Sequence, residues 1–150
     1  MMKTGKIVCF FLLFPLLLTA QEKGLMNTSH SNHVKLKNVA MTDVRWTKGF
    51  WAERFEVYKD TLILSMWKTL NDPEISHSFR NFEIAAGEME GTHSGPPFHD
   101  GDFYKWFEAV ASVYAVTNDP KLDSLMDRII HTIGKAQRAD GYIHTPVIIE

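Results

Sequence analysis

Cysteine is almost absent from the 150 residues: the single thiol, Cys9, sits inside an apolar run near the amino terminus. Beyond it the chain holds neither a disulfide nor a cysteine-based zinc site of its own. Excess positive charge is missing too, with 16 Lys and Arg against 18 Asp and Glu. That balance excludes the basic footprint by which proteins hold nucleic acid. An apolar run of bilayer length is also lacking, because residues 7–18 fall short of the roughly 20 apolar residues that spanning requires. Preceded by Lys3 and Lys6 and followed by Thr19-Ala20-Gln21, this run reads as a cleaved secretory signal over residues 1–20, with export to the periplasm or beyond. Cys9 leaves with it, and no membrane partner is expected after cleavage.

What is present suits a folded domain: 45% of the residues are hydrophobic and 12% aromatic. Residues 21–33, polar and without hydrophobic period, are expected to form a flexible tail, its histidines His30 and His33 solvated. Residues 34–46 alternate partly, with Val34, Leu36, Val39, Met41 and Val44, and predict one or two short extended segments. From Phe50, the recurrence of Trp51, Phe55, Tyr58, Leu62 and Met66 at threes and fours predicts a helix ending before Asn71-Asp72-Pro73. Residues 73–100 read as a long structured loop with one helical turn around residues 82–86. Loops of that length are uncommon unless they belong to a site.

A second helix is predicted from residues 100–102 to Thr117, with Phe103, Phe107, Val110, Ala111 and Tyr114 on one stripe and Trp106 and Val113 widening it. Asn118-Asp119-Pro120 stops it and starts the next, Asp119 capping and Pro120 occupying the first helical position. The third helix, Pro120 to about Arg138, carries Leu122, Leu125, Met126, Ile129, Ile133 and Ala136 on one face. Gly141 is the expected left-handed terminator, and residues 142–149 are expected to be extended. An apolar helix joined by a short turn to an amphipathic one is a helical hairpin, the unit of toroids and bundles. The expected class is all-α with a short extended segment before the first helix, toroid and bundle both remaining open, and residues 34–150 read as part of a larger domain.

Antiparallel packing of that hairpin brings residues 99–102 beside residues 140–144. The shared end is both polar and aromatic, which suits a sugar: carboxylates and imidazoles for its hydroxyls, flat rings for its apolar faces. The plain alternative for Asp100 and Asp102 is helix capping, and for Lys105 and Glu108 an intrahelical ion pair. Turn packing accounts equally for Tyr142 and His144, and core contact for Trp46, Trp51, Trp67 and Trp106. Asp102 and Glu108 are not a glycosidase pair, since six residues at about 100° each turn them well away from one another.

Three segments taken together resemble glycoside hydrolase family 127: Asn81-Phe82-Glu83-Ile84-Ala85-Ala86-Gly87-Glu88, residues 100–109 reading DGDFYKWFEA, and residues 136–142 reading AQRADGY. Residues 44–51, VRWTKGFW, with Arg54, resemble the family's entry into its first helix, so the likeness spans about residues 34–147. It implies an (α/α)-barrel catalytic domain and a retaining, exo-acting β-L-arabinofuranosidase acting on arabinose-containing glycans. It further implies zinc in the full-length protein, a zinc-bound cysteine as nucleophile and a glutamate as acid/base, all expected downstream of residue 150. This segment alone is then expected to be inactive and to bind no cofactor. Gly101 stands where relatives commonly have Ser, and Ile143-His144 where they have Leu and a small polar residue. The resemblance places polar side chains of this early region near the pentose. The substrate-binding candidates are accordingly His77, Asn81, His99, Asp100, Asp102, Tyr142 and His144. Two other readings stand beside this one: a non-catalytic exported sugar-binding toroid, and a toroidal glycosidase that uses carboxylates alone.

Overall fold

Helix formation begins where glycine ends the amino-terminal segment. Gly49, at a φ of 84°, turns the chain into α1 (Phe50–Val57), which runs through a π-helical turn (Tyr58–Leu62) into α2 (Ile63–Leu70). The computed structural model describes residues 27–36 and 38–150, so the expected leader, Cys9 and residues 21–26 of the expected tail lie outside the described residues. Four further helices follow: α3 (Ser78–Ala85), α4 (His99–Thr117), α5 (Pro120–Ala136) and α6 (Thr145–Ile149). No strand occurs among the described residues. Where extended segments were expected there is a 3-10 turn (Met41–Asp43) flanked by extended backbone at Ala40 and Val44.

The π-turn changes which residues of the first helix are buried. An extra residue in one turn rotates everything after it by roughly 100°. The stripe Phe55, Tyr58 therefore continues as Ile63, Trp67 and Leu70, one place later than the uninterrupted period that pointed to Leu62 and Met66. Ile63 and Leu70 are buried, whereas Leu62 and Met66 are 45% exposed. The Trp106 indole N–H donates to the Ile63 carbonyl at 3.2 Å, locking α2 to α4 immediately after the turn.

Hairpin formation between α4 and α5 follows the expected chemistry. Asn118 adopts left-handed backbone (φ 52°) to end α4, and the Asp119 carboxylate accepts from Lys121 N at 2.8 Å with Pro120 in the first turn. Phe103, Trp106, Val110 and Val113 form the buried stripe of α4; Leu122, Ile129, Thr132 and Ala136 form that of α5. Gly141 has positive φ (89°), yet α5 has already ended at Ala136, and Gly141 instead closes a turn with its N–H on Arg138 O. The segment expected to be extended after it is α6 from Thr145 onward, with Pro146 in its first turn.

Part of the expected loop is α3, whose Phe79 and Phe82 are fully buried and fill the space between α2, α4 and α5. Phe79 stacks on Phe103 at 5.7 Å, Phe82 meets Phe103 at 5.4 Å, and Trp67 stacks on Trp106 at 5.4 Å. Each such ring pair contributes about 0.5–1.5 kcal/mol beyond simple burial. Arg128 of α5 seals this cluster, its guanidinium 5.3 Å from the Phe79 ring while donating to Glu83 at 3.1 Å. Trp67 and Trp106 thus serve the core as expected. Trp46 and Trp51 do not, being 58% and 65% exposed on the amino-terminal side.

Candidate functional site

Asp100 occupies the second position of α4 and is 4% exposed. Neither of its oxygens caps α4, whose N-cap, Phe98, makes no side-chain bond. Both reach across to α6: Oδ2 accepts from Thr145 N and Oδ1 from Thr145 Oγ1, each at 2.7 Å. Charge-assisted bonds of this length are among the stronger ones a protein makes. Beside them, His144 Nε2 lies 3.2 Å from the Pro97 carbonyl. These contacts bring residues 97–100 and 142–145 together at one pole of the α4–α5 hairpin, where antiparallel packing places them.

Around that clamp the pole is aromatic and polar. Tyr142 stands edge-on to His144 at 6.5 Å and lies under the Arg138 guanidinium at 5.5 Å. The ring of His99 packs over Gly95, which holds a φ of 91° and has no room for a side chain against the imidazole. His99 Nδ1 and His93 Nε2 are buried without a hydrogen-bond partner, a condition that costs about 1–3 kcal/mol for each neutral group unless a hydroxyl or water supplies one. Tyr104, one helical turn after Asp100, has its phenol pushed up to about 12, first by burial and then by the Asp100 carboxylate. It remains a neutral donor and acceptor throughout the physiological range.

The remaining candidates, Asn81, His77 and Asp102, take no part in the bonds between Asp100 and Thr145. Asn81 is fully buried and spends its amide on the backbone of Ser94: Nδ2 donates to Ser94 O at 2.9 Å and Oδ1 accepts from Ser94 N at 3.2 Å. It shapes the loop leading to Pro97 from a fully buried position. His77 precedes α3 in left-handed backbone (φ 59°), a conformation uncommon for a side-chain-bearing residue. Asp102 points to solvent and pairs with Lys105 at 2.9 Å, so the expected Lys105–Glu108 pair is replaced by one on the preceding turn. Of the seven candidates, His99, Asp100, Tyr142 and His144 share the pole, and Asn81 supports it through Ser94.

Sequence reasoning passed over Thr145, the partner that occupies both Asp100 oxygens. The Thr145-Pro146 pair was its available signal, because proline in a first turn marks a helix start. A concavity of about 860 Å³ lies away from the pole. It runs between the amino-terminal segment, α1 and the later half of α4, lined by Arg45, Trp46, Trp51, Arg54, Phe55 and Ser112 among others. None of the seven candidates borders it. Among the described residues, no group of three or more His, Cys, Asp or Glu could hold a metal ion, and these residues therefore do not fit the zinc site that the resemblance implies.

Residues 43–150 match the family model described as β-L-arabinofuranosidase, GH127 catalytic domain. A curated relative, the non-reducing end β-L-arabinofuranosidase of Bifidobacterium longum subsp. longum, is 34% identical over an alignment covering 72% of this chain and 19% of its own length. The crystal structure of Ara127N-Se, a GH127 β-L-arabinofuranosidase from Geobacillus stearothermophilus T6, superposes with a TM-score of 0.68 at 40% identity, covering 71% of this chain and 18% of that one. The chain thus spans about a fifth of the length of these relatives. With an all-helical hairpin architecture, the three sequence segments and both relatives in agreement, the chain belongs to glycoside hydrolase family 127, and its helices form part of an (α/α) toroid.

Proposed function

We propose that the protein is an exported β-L-arabinofuranosidase that removes terminal β-L-arabinofuranosyl units from arabinose-containing glycans with retention of configuration. The pole formed by His99, Tyr142 and His144 then supplies one wall of the pentose subsite. The observation that carries this reading is the match of residues 43–150 to the GH127 catalytic domain, joined to the convergence of imidazole and phenol groups at the end of the α4–α5 hairpin. A furanose ring needs donors and acceptors for its hydroxyls and a flat partner for its C–H face. His99 and His144 offer the first, Tyr142 the second.

In this proposal the described residues bind and orient the sugar rather than break its bond. No cysteine lies among them, and Asp100 is held by Thr145. Zinc dependence and a thiolate nucleophile belong to the same proposal, with their donors outside residues 27–150. Export rests on the apolar run of residues 7–18. The amino-terminal residues thus carry the address, and the described helices carry the sugar wall.

Hydrolysis of p-nitrophenyl β-L-arabinofuranoside by the full-length gene product tests the proposal. Release of p-nitrophenol that stops on zinc chelation and returns on adding zinc is the expected result. Failure on this substrate, together with activity on another pentoside, would overturn the assignment of the sugar. Activity insensitive to chelation would overturn the zinc–thiolate scheme and favour one that uses carboxylates alone.

A further inference from the structure

We infer that Asp100 and Thr145 form a positioning clamp that fixes the turn carrying Tyr142 and His144, so that Asp100 acts on the sugar through that turn and not by touching it. The inference rests on the sugar-wall reading above and assigns a role within it. Its basis is the engagement of both oxygens of a buried carboxylate by one residue 45 positions away: Thr145 gives Asp100 both its N–H and its hydroxyl at 2.7 Å, and Thr145 is fully buried. Asp100 is only 4% exposed, so burial shuts its remaining lone pairs off from a ligand, and moving it would strand a buried charge.

The clamp sits at one side of a short bracketed turn. At the other side, Arg138 N donates to Tyr142 O at 3.0 Å, its guanidinium donates to Val147 O at 3.0 Å, and Gln137 Nε2 donates to Gly141 O at 2.9 Å. Between the two sides, Tyr142 and His144 are the side chains left facing outward, with His144 steadied on the Pro97 carbonyl. The brackets on the Arg138 side lie on exposed residues and exchange readily with water. The buried Asp100–Thr145 pair is the one that holds the turn against α4. Thr145 thereby couples the register of α6 to the position of His144, the residue immediately before it.

Three variants of the full-length protein test this. Thr145→Ser keeps both bonds, Thr145→Val keeps the shape and the N–H but removes the hydroxyl, and Asp100→Asn replaces one acceptor by a donor. In Thr145→Val and Asp100→Asn, hydrogen exchange of amides 140–147 is expected to quicken at least tenfold while the centre of α5 stays unchanged. KM for the arabinofuranoside should rise about tenfold with kcat within twofold, and Thr145→Ser should match the wild type in both measurements. Unchanged exchange in Thr145→Val and Asp100→Asn would overturn the clamp, as would a Thr145→Ser variant as impaired as Thr145→Val. Quickened exchange with unchanged KM would overturn its service to the sugar. If the wild-type enzyme does not cleave arabinofuranosides, the functional reading above fails, and the exchange measurement alone decides the clamp.

Discussion

Replacing Asn81 by Ala should loosen the loop at the pole far more than the loss of one amide suggests. Asn81 is fully buried and pairs with both backbone groups of Ser94, at 2.9 Å and 3.2 Å. A hydrogen bond contributes about 0.5–1.5 kcal/mol net, but stranding its buried partner costs about 1–3 kcal/mol. Ser94 is half-buried, so water recovers part of that loss, and the two bonds together with the vacated volume come to about 3 kcal/mol. That corresponds to a roughly 150-fold larger opening constant for the loop. Hydrogen exchange at the Ser94 amide reads it directly, because that N–H donates to Asn81 Oδ1. Asn81→Asp offers a signed control: the carboxylate faces the Ser94 carbonyl and repels it at neutral pH, whereas the protonated acid can donate to it, so protection should return as the pH falls. An unchanged exchange rate at Ser94 in Asn81→Ala would refute the reasoning.

Trp106→Phe removes the donor to the Ile63 carbonyl and the stacking on Trp67, and should lower stability by about 2 kcal/mol, measured as a shift in the urea midpoint. Glu88 is held below the usual carboxylate range, first by its bond from Lys135 and then by that from Thr132. Its contribution is present above the unfolded pKa and is lost as pH falls through the depressed folded value, so Glu88→Gln should flatten the acid limb of a melting-temperature profile. For Tyr104 the sign is reversed: with its phenol raised to about 12, its contribution is complete below pH 10 and fades as pH rises toward the folded value. Ultraviolet difference titration should show Tyr104 ionising late beside Tyr114, which its bond to Asp123 also raises, and Asp100→Asn should bring Tyr104 alone earlier.

The hairpin was legible because its signals are local and agree with one another: the Asn118-Asp119-Pro120 stop and start, and two stripes of helical period. Antiparallel geometry alone puts residues 99–102 beside residues 140–144, and the observed contacts join Pro97 and Asp100 to His144 and Thr145. Burial in the first helix was misread because period counting assumes 3.6 residues per turn, and the π-turn at Tyr58–Leu62 inserts one residue that shifts the buried stripe from Leu62 and Met66 to Ile63 and Trp67. Nothing in the side chains there announces the insertion. α3 was partly hidden because its eight residues span barely two turns, too few for a period to stand out from the surrounding loop. Asp100, a short acid at a helix start, suits capping, ligation and tertiary bonding equally, and Asn81 is a candidate through the family resemblance. Their tertiary bonds run to Thr145 and Ser94, at 45 and 13 positions' distance, which no local pattern reveals.

The central claim, that residues 97–100 and 142–145 build a wall of the sugar site, is tested most directly by histidine labelling of the full-length enzyme. An uncleavable thio-linked β-L-arabinofuranoside would be added at saturation, and acylation by diethyl pyrocarbonate followed at His144 and at His131, which is exposed on α5. The account predicts that the analogue slows modification of His144 at least tenfold and leaves His131 unchanged. Equal labelling of His144 with and without an analogue that inhibits the enzyme would contradict it and place the sugar elsewhere.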